Sequence, residues 1–310
     1  MKTRIYTHSS GLNHDTGNNH PECAARLEVL NSMLDDLPDK IFEKVSPPKI
    51  NHNQILRAHS SGYLDQLESK GKTTESIVMD GGDTIMSSGS LDAAYHAAGA
   101  VCQAADDIAS GDARRVFCMN RPPGHHAEPD HAMGFCFLNN VFLGALQAKS
   151  KGFEKIAIVD FDVHHGNGTD SMTRNCDGGI FFVSSHEWPL FPNTGNPENN
   201  IPEVILNVTL PNRSGSSLFR QKYKTEIFPA LEKFSPDILM ISAGFDGHKD
   251  DHLSTLMLED DDYDWVIRHL IKIANTHSEG RIISVLEGGY NLEVLERCVG
   301  SHIKALSETG

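Results

Sequence analysis

The run Asp160-Phe161-Asp162-Val163-His164-His165-Gly166-Asn167-Gly168 sets two carboxylates and an imidazole at alternate positions. It follows Lys155-Ile156-Ala157-Ile158-Val159, a β-branched run that predicts a strand buried on both faces. Side chains two apart on an extended backbone point the same way, so Asp160, Asp162 and His164 are expected on one side. Carboxylates crowded at the mouth of a buried strand repel one another unless a cation neutralises them. Mixed oxygen and nitrogen donors suit a borderline divalent metal, zinc or iron(II). Taken alone, the stretch also admits a lesser reading, a solvated turn with a structural histidine.

Three further apolar runs end in comparable residues. Arg115–Met119 leads to Arg121-Pro122-Pro123-Gly124-His125-His126, Asp237–Ile241 to Ala243-Gly244-Phe245-Asp246, and Arg281–Leu286 to Glu287-Gly288-Gly289-Tyr290. Open parallel sheets bind ligands beyond the carboxyl ends of their strands, so these four loops are expected at one edge. Two adjacent imidazoles near a metal cannot both be protonated cheaply, which suits a general base and a general acid around one tetrahedral intermediate. Asp246 could complete a metal set with Asp162 and His164, and three protein ligands with open positions mark a catalytic metal. Tyr290 follows two glycines on a pliable turn, from which its hydroxyl could approach a developing oxyanion.

The elements that must position these residues follow from the pattern. Strands are expected at Arg4–Tyr6, Arg115–Met119, Lys155–Val159, Gly179–Val183, Val204–Val208, Asp237–Ile241 and Arg281–Leu286. Helices are expected from His20 to about Leu34, over Leu56–Leu67, from Ser90 to Ile108 with a glycine stop at Gly111, and from Asn140 to Lys149. Others are expected near Asp170, over Ser216–Phe234, from Glu259 to Thr276, and from Leu292 onward. Gly71–Asp83 reads as an irregular connection. Strands alternating with helices of 10–20 residues imply an α/β fold, a mostly parallel sheet with helices on both faces. With no linker, repeat or low-complexity segment, one domain over 1–310 is expected.

Composition narrows the partners. The net charge of −15 argues against a nucleic-acid surface, which needs a basic patch. It fits simple solubility, and could also draw in a cationic substrate. No window approaches the ~18 apolar residues of a membrane span, and Met1–Tyr6 runs into Thr7-His8-Ser9-Ser10 without a secretory apolar core. The cysteines (Cys23, Cys102, Cys118, Cys136, Cys176, Cys298) are scattered without a C-x-x-C pair, which fits reduced thiols in a cytoplasmic protein.

Together, R-P-P-G-H-H-A, G-F-C-F-L-N-N, D-F-D-V-H-H-G-N-G-T, A-G-F-D and L-E-G-G-Y-N resemble the histone deacetylase family, from His20-Pro21-Glu22 to Asn291. The forms R-P-P-G-H-H and E-G-G-Y-N, with Asn167, resemble its class II branch and the bacterial histone deacetylase-like and acetylpolyamine amidohydrolases. The resemblance implies the arginase–deacetylase fold with about eight strands, and zinc held by Asp162, His164 and Asp246. It implies His126 as general base and acid, His125 as its electrostatic partner, and Tyr290 as donor to the substrate carbonyl. Asp160 would hold His125 from behind, and Asn167 would hold His126. Phe135 and Phe191, with Gly134 and Leu253, would line an acyl-lysine tunnel, with Asp83 at the rim and Arg26 near an inner acetate pocket. Backbone carbonyls of Asp160, Asp162, His164 and Ser185, with the Ser184 hydroxyl, resemble the family's potassium site.

The activity so implied is hydrolysis of the N-ε-acetyl-lysine amide to amine and acetate. Acetylpolyamine hydrolysis is the nearest rival. Polyamine-selective relatives place a glutamate seven residues after the last aspartate ligand, where this chain has Leu253. A manganese ureohydrolase would need a D-x-D-x-x-D pattern that is missing after Gly244-Phe245-Asp246. A silent acyl-lysine binder is the reading from another class, but such a protein is expected to have lost Tyr290 or a ligand.

Overall fold

Valine, isoleucine and leucine fill the segments that become strands because these segments meet apolar helices on two sides, not one. The computed structural model describes residues 2–308, so Met1, Thr309 and Gly310 of the expected 1–310 domain lie outside the described residues. In chain order the elements open with β1 (Thr3–Tyr6), α1 (Ala24–Asp36), β2 (Phe42–Val45), α2 (His52–Ile55), α3 (Ser61–Lys70), β3 (Ile77–Val78) and β4 (Ile85–Met86). They continue through α4 (Ser90–Ser110), β5 (Arg115–Cys118), α5 (Asn140–Ser150), β6 (Ile156–Asp160), α6 (Asn167–Arg174), β7 (Ile180–Glu187) and β8 (Ile205–Leu210). The last are α7 (Ser216–Lys222), α8 (Phe228–Phe234), β9 (Ile238–Ala243), α9 (Asp260–His277), β10 (Ile282–Leu286) and α10 (Leu292–Ser307).

Eight strands form one sheet in the order β2-β1-β5-β10-β9-β6-β7-β8. Every neighbouring pair is parallel, so the sheet is fully rather than mostly parallel. Alternate residues of each strand feed two cores. Phe117, Ala157, Val159, Leu239 and Ile241 face α1, α9 and α10, while Val116, Cys118, Ile156, Ile158 and Met240 face α4 and α5. Each fully buried Val, Ile or Leu contributes about 1.5–3 kcal/mol relative to exposure, so a one-residue slip that reversed the faces would be prohibitive. No helix of the described residues is long and apolar enough to cross a membrane.

Several expected boundaries move, each for a local reason. The first helix starts at Ala24 rather than His20, because Glu22 is drawn into a buried cluster with Arg26, Arg121 and His14. The helix expected over Leu56–Leu67 breaks into α2 and α3. Between them His59 is buried, its Nδ1 donating to the Glu128 carbonyl (3.0 Å) while its Nε2 accepts the Asn139 N–H (3.0 Å). Ser60 then caps α3 by accepting the Tyr63 N–H. The connection at Gly71–Asp83 contains β3, which pairs antiparallel with β4 outside the main sheet. The edge strand β2 was not expected at all, since Phe42-Glu43-Lys44-Val45 lacks a buried run. Ser216–Phe234 is helical throughout but widens to a π turn at Tyr223–Ile227, just before Pro229, which has no N–H to give the ladder.

Candidate active site and metal centre

The four strands that end in these polar loops, β5, β10, β9 and β6, are consecutive in the sheet. Their loops therefore leave one edge side by side. Asp162, His164 and Asp246 present ligand atoms that all lie within 4.8 Å of one another. The His164 Nδ1 is 3.2 Å from Asp162 Oδ1 and 3.1 Å from Asp246 Oδ2. The remaining carboxylate oxygens are pinned by backbone: Asp162 Oδ2 accepts the Gly288 N–H (2.8 Å), and Asp246 Oδ1 accepts the Val163 N–H (3.0 Å). Both carboxylates are almost fully buried.

Asp160 does not join this group, which corrects the alternation argument. The strand ends at Asp160, and the chain then turns as the Asp160 and Asp162 side chains each accept the backbone N–H two residues on. Period-two geometry stops there. The Asp160 Oδ2 instead faces the Nδ1 of His125 at 3.0 Å.

Two glycines make room for the cluster. A Cβ on Gly288 would lie 2.2 Å from Asp246 Oδ2 and 2.6 Å from Asp162 Oδ2, and one on Gly244 would lie 2.1 Å from Asp162 Oδ2. No side chain fits at either position without displacing a carboxylate.

Electrostatics sort the cluster. Burial and the neighbouring Asp162 raise Asp246 to about 6. Burial alone would also raise Asp162, but His125 and His164 hold it well below the usual carboxylate range. For His164 burial works against charge, yet Asp162 and Asp246 lift it to about 10. Two buried carboxylates against one imidazole carry a charge excess that a divalent cation between them would relieve. One imidazole nitrogen and two carboxylate oxygens are a donor set that suits zinc or iron(II).

The adjacent histidines differ sharply. His125 is raised to about 10, because Asp162 and Asp160 outweigh the opposing effect of burial. His126 is held well below its ordinary value by burial, and further by the charged His125 and His164. Their rings are 4.0 Å apart, so one is charged while the other stays neutral. The Nδ1 of His126 lies 2.7 Å from Asn167 Oδ1. Tyr290 is half-buried, and its phenol is pushed well above the usual range by burial and Asp246, so it stays a donor.

Three of these groups, His126, His164 and Tyr290, line one cavity of about 270 Å³. Gly134, Phe135, Leu190, Phe191 and Leu253 line its walls, and Pro21 and Asp83 complete its lining. Gly134 and Phe135 both adopt positive φ (+53° and +68°), and a Cβ at Gly134 would sit 2.4 Å from the His126 ring. Phe135 is fixed by its N–H, which donates to Thr84 Oγ1 (2.9 Å), and by the edge of the His20 ring at 4.8 Å. Arg26 is wholly buried beneath the Glu287–Tyr290 turn. It donates to the Gly289 and Glu287 carbonyls, and its guanidinium lies 5.0 Å from the Tyr290 ring centroid. Ser184 and Ser185 are buried late in β7, with Ser184 opposite Asp160; their hydroxyls meet His186 Nδ1 (2.9 Å) and Tyr223 (2.8 Å).

Several residues that shape this site escaped sequence reasoning. Glu287 is buried, accepts the Gly124 N–H (2.7 Å) and is raised to about 7 by burial, against the pull of His125. Its place at a strand end was the available signal. Asp251 spans two loops, accepting the Leu253 N–H on one oxygen and the Tyr290 and Asn291 N–H groups on the other. Glu22, with Arg121, sits under the histidine loop; burial alone would raise its pKa, but Arg121 and His14 hold it far below the usual range. Glu128 accepts from the Asn167 amide at 2.6 Å. A second polar cluster, His8, Asp92 and His96, also has ligand atoms within 4.8 Å. Its imidazoles are stacked, 3.6 Å apart and only 10° from parallel, and Asp92 is already paired with Lys49.

Comparison with known proteins agrees with this geometry. The histone deacetylase domain matches residues 20–306. A probable deacetylase from Archaeoglobus fulgidus is 35% identical over 94% of this chain and 82% of its own length. The histone deacetylase-like amidohydrolase of Pseudomonas aeruginosa is 31% identical over 93% of this chain and 77% of its own. Type-2 histone deacetylase 2 of Dictyostelium discoideum is 36% identical over 99% of the chain, which spans only 21% of that longer protein. The crystal structure of the HDA15 HD domain superimposes with a TM-score of 0.91 at 29% identity, covering 99% of this chain and 88% of that one. A match this long, on a sheet that gathers those four loops at one edge, makes the chain a member of the histone deacetylase family.

Proposed function

We propose that this histone deacetylase-family hydrolase is a zinc-dependent deacetylase, in one catalytic domain, that cleaves the amide of N-ε-acetyl-lysine or a close acyl-lysine to amine and carboxylate. The observation that carries the reading is that His164, clustered with Asp162 and Asp246, lines one cavity with His126, Tyr290, Phe135 and Phe191. Zinc bound by that cluster would polarise the acyl carbonyl and make an attacking water more acidic. His126, neutral and with Nδ1 occupied by Asn167, takes the water's proton on Nε2 and later hands it to the departing amine. His125, charged and braced by Asp160, adds positive potential beside the developing oxyanion. The Tyr290 hydroxyl donates to that oxygen as it gains charge, worth roughly 3–4 kcal/mol.

The aromatic walls accept a straight aliphatic stem and keep water from it. Asp83, among the residues lining the cavity, would accept N–H groups of the substrate backbone. Backbone carbonyls of Asp160, Asp162, His164 and Ser185, with the Ser184 hydroxyl, would hold a structural potassium ion. Six free cysteines suit a reducing compartment, and we assign the cytoplasm.

Turnover of an acetyl-lysine peptide, compared with acetylspermidine and acetylputrescine, tests the substrate class. Preference for the peptide is expected, because Leu253 offers the channel no carboxylate for a second amine. Tyr290→Phe should lower turnover by ~10²-fold or more with zinc content unchanged. Activity within a few-fold of the parent would remove Tyr290 from this role.

A further inference from the structure

A neutral imidazole carries its proton on one nitrogen, and a general base needs the other one bare. In His126 the choice is made by Asn167, whose Oδ1 lies 2.7 Å from Nδ1. That oxygen can only accept, so Nδ1 bears the hydrogen and Nε2 keeps its lone pair for the cavity that His126 lines. An amide can be turned end for end, however, and a turned Asn167 would present N–H to Nδ1 and reverse the tautomer. Three acceptors surround Asn167 Nδ2: Glu128 Oε1 at 2.6 Å, the His126 carbonyl at 3.2 Å and Met133 Sδ at 3.5 Å. The carboxylate is the strongest of them. Turning the amide would bring its oxygen against Glu128, a contact between two acceptors with no proton to share.

We propose that Glu128 is a positioning residue for the general base: by fixing which way the Asn167 amide points, it keeps His126 in the tautomer with Nε2 free. This rests on the deacetylase reading of the site. The backbone of Glu128 is held on both sides of its Cα, its N–H donating to the His131 carbonyl (3.0 Å) and its carbonyl accepting from His59 Nδ1 (3.0 Å). The arrangement places a negative charge one hydrogen bond further from the imidazole than a direct carboxylate would. His126 is thereby oriented without being made strongly basic.

The test uses the metal-loaded full chain. Glu128→Ala should lower kcat by about tenfold or more with KM little changed, and Glu128→Gln, whose amide can itself turn and donate, should recover only part of it. Nitrogen-15 NMR of labelled histidine should show Nδ1–H on His126 in the parent and an Nε2–H population in E128A, with E128Q between the two. Asn167→Asp supplies the sharpest arm. A carboxylate at 167 accepts from Nδ1 either way round but meets Glu128 as a like charge, so E128A should raise activity in the N167D background. The proposal is overturned if E128A keeps the Nδ1–H tautomer, or if it lowers activity equally in both backgrounds, as a purely structural role would. The tautomer signal needs no turnover, so a failure of the deacetylase reading would leave this test intact. Unchanged helix content and zinc stoichiometry exclude misfolding as the cause.

Discussion

Asp162, His164 and Asp246 make one cluster of carboxylate and imidazole, and His8, Asp92 and His96 make another from the same kinds of side chain at the same spacing. They differ in how the lone pairs are aimed and in what already neutralises the charge. In the first, backbone N–H groups fix both carboxylates, and each turns one oxygen toward His164 Nδ1. In the second, the imidazole planes are nearly parallel, and in-plane lone pairs of parallel rings do not converge on a point. His96 Nδ1 is committed to the Asp92 carbonyl (2.9 Å), and Lys49 answers the Asp92 charge. A set of ligand residues becomes a metal site when convergence is enforced by the backbone and charge is left over.

The largest effect should come from removing a ligand. His164→Ala is expected to abolish bound zinc and lower activity by ~10³-fold or more, whereas His96→Ala should leave one zinc per chain and activity within about twofold. Metal analysis on both variants decides, and loss of an equivalent of zinc in H96A would break the contrast. Gly288→Ala comes next. Its new Cβ would fall 2.2 Å and 2.6 Å from oxygens of Asp246 and Asp162, so zinc affinity should fall and activity should drop by ~10²-fold without loss of the fold.

A third kind of imidazole bounds the comparison from the other side. His59 and His302 are buried beside neutral partners and held at about 4 and about 3, burial being the dominant cause in both. Above pH ~6.5 both are neutral folded and unfolded, so neither affects stability. Below that value the unfolded chain binds protons that the folded chain resists. Stability should therefore fall from pH 6.5 downward, by about 3 kcal/mol per histidine by pH 4. Denaturant titrations of the parent and of His302→Gln across that range measure it, and a flat profile would contradict the assignment. The smallest effect belongs to Lys49→Ala, which removes an exposed pair and should change stability by less than ~1 kcal/mol.

Much of the site was readable because each of its four loops begins where an apolar strand stops, and polar residues there need a reason. The strand ends alone pointed to Asp246, which lies beside Asp162 and His164, and to Tyr290, which lines the cavity with His164, although both are far from Asp162 in sequence. The alternation rule failed beyond Asp160, the last residue of β6, because side-chain caps replace the strand's geometry there. Glu287, Asp251 and Glu128 were missed as positioning groups for a common cause. Their partners are backbone amides or a neutral side chain distant along the chain, and such pairings leave no periodic trace. The helix start at His20 was misplaced because Pro21 is a good opening residue locally, while the Glu22 cluster that overrides it depends on Arg121. The edge strand β2 was invisible because a four-residue stretch paired on one side needs no hydrophobic run.

The left-handed turn at Gly134 and Phe135 has a lasting consequence for this lineage. Glycine is required where the chain brushes the His126 ring, and a β-branched replacement for Phe135 would be heavily strained at φ +68°. One side of the passage is thus frozen by main-chain geometry, whatever it is asked to admit. Phe191, on the same cavity, is 44% exposed at negative φ, free of that restriction, so divergence in acceptable guest size should accumulate there.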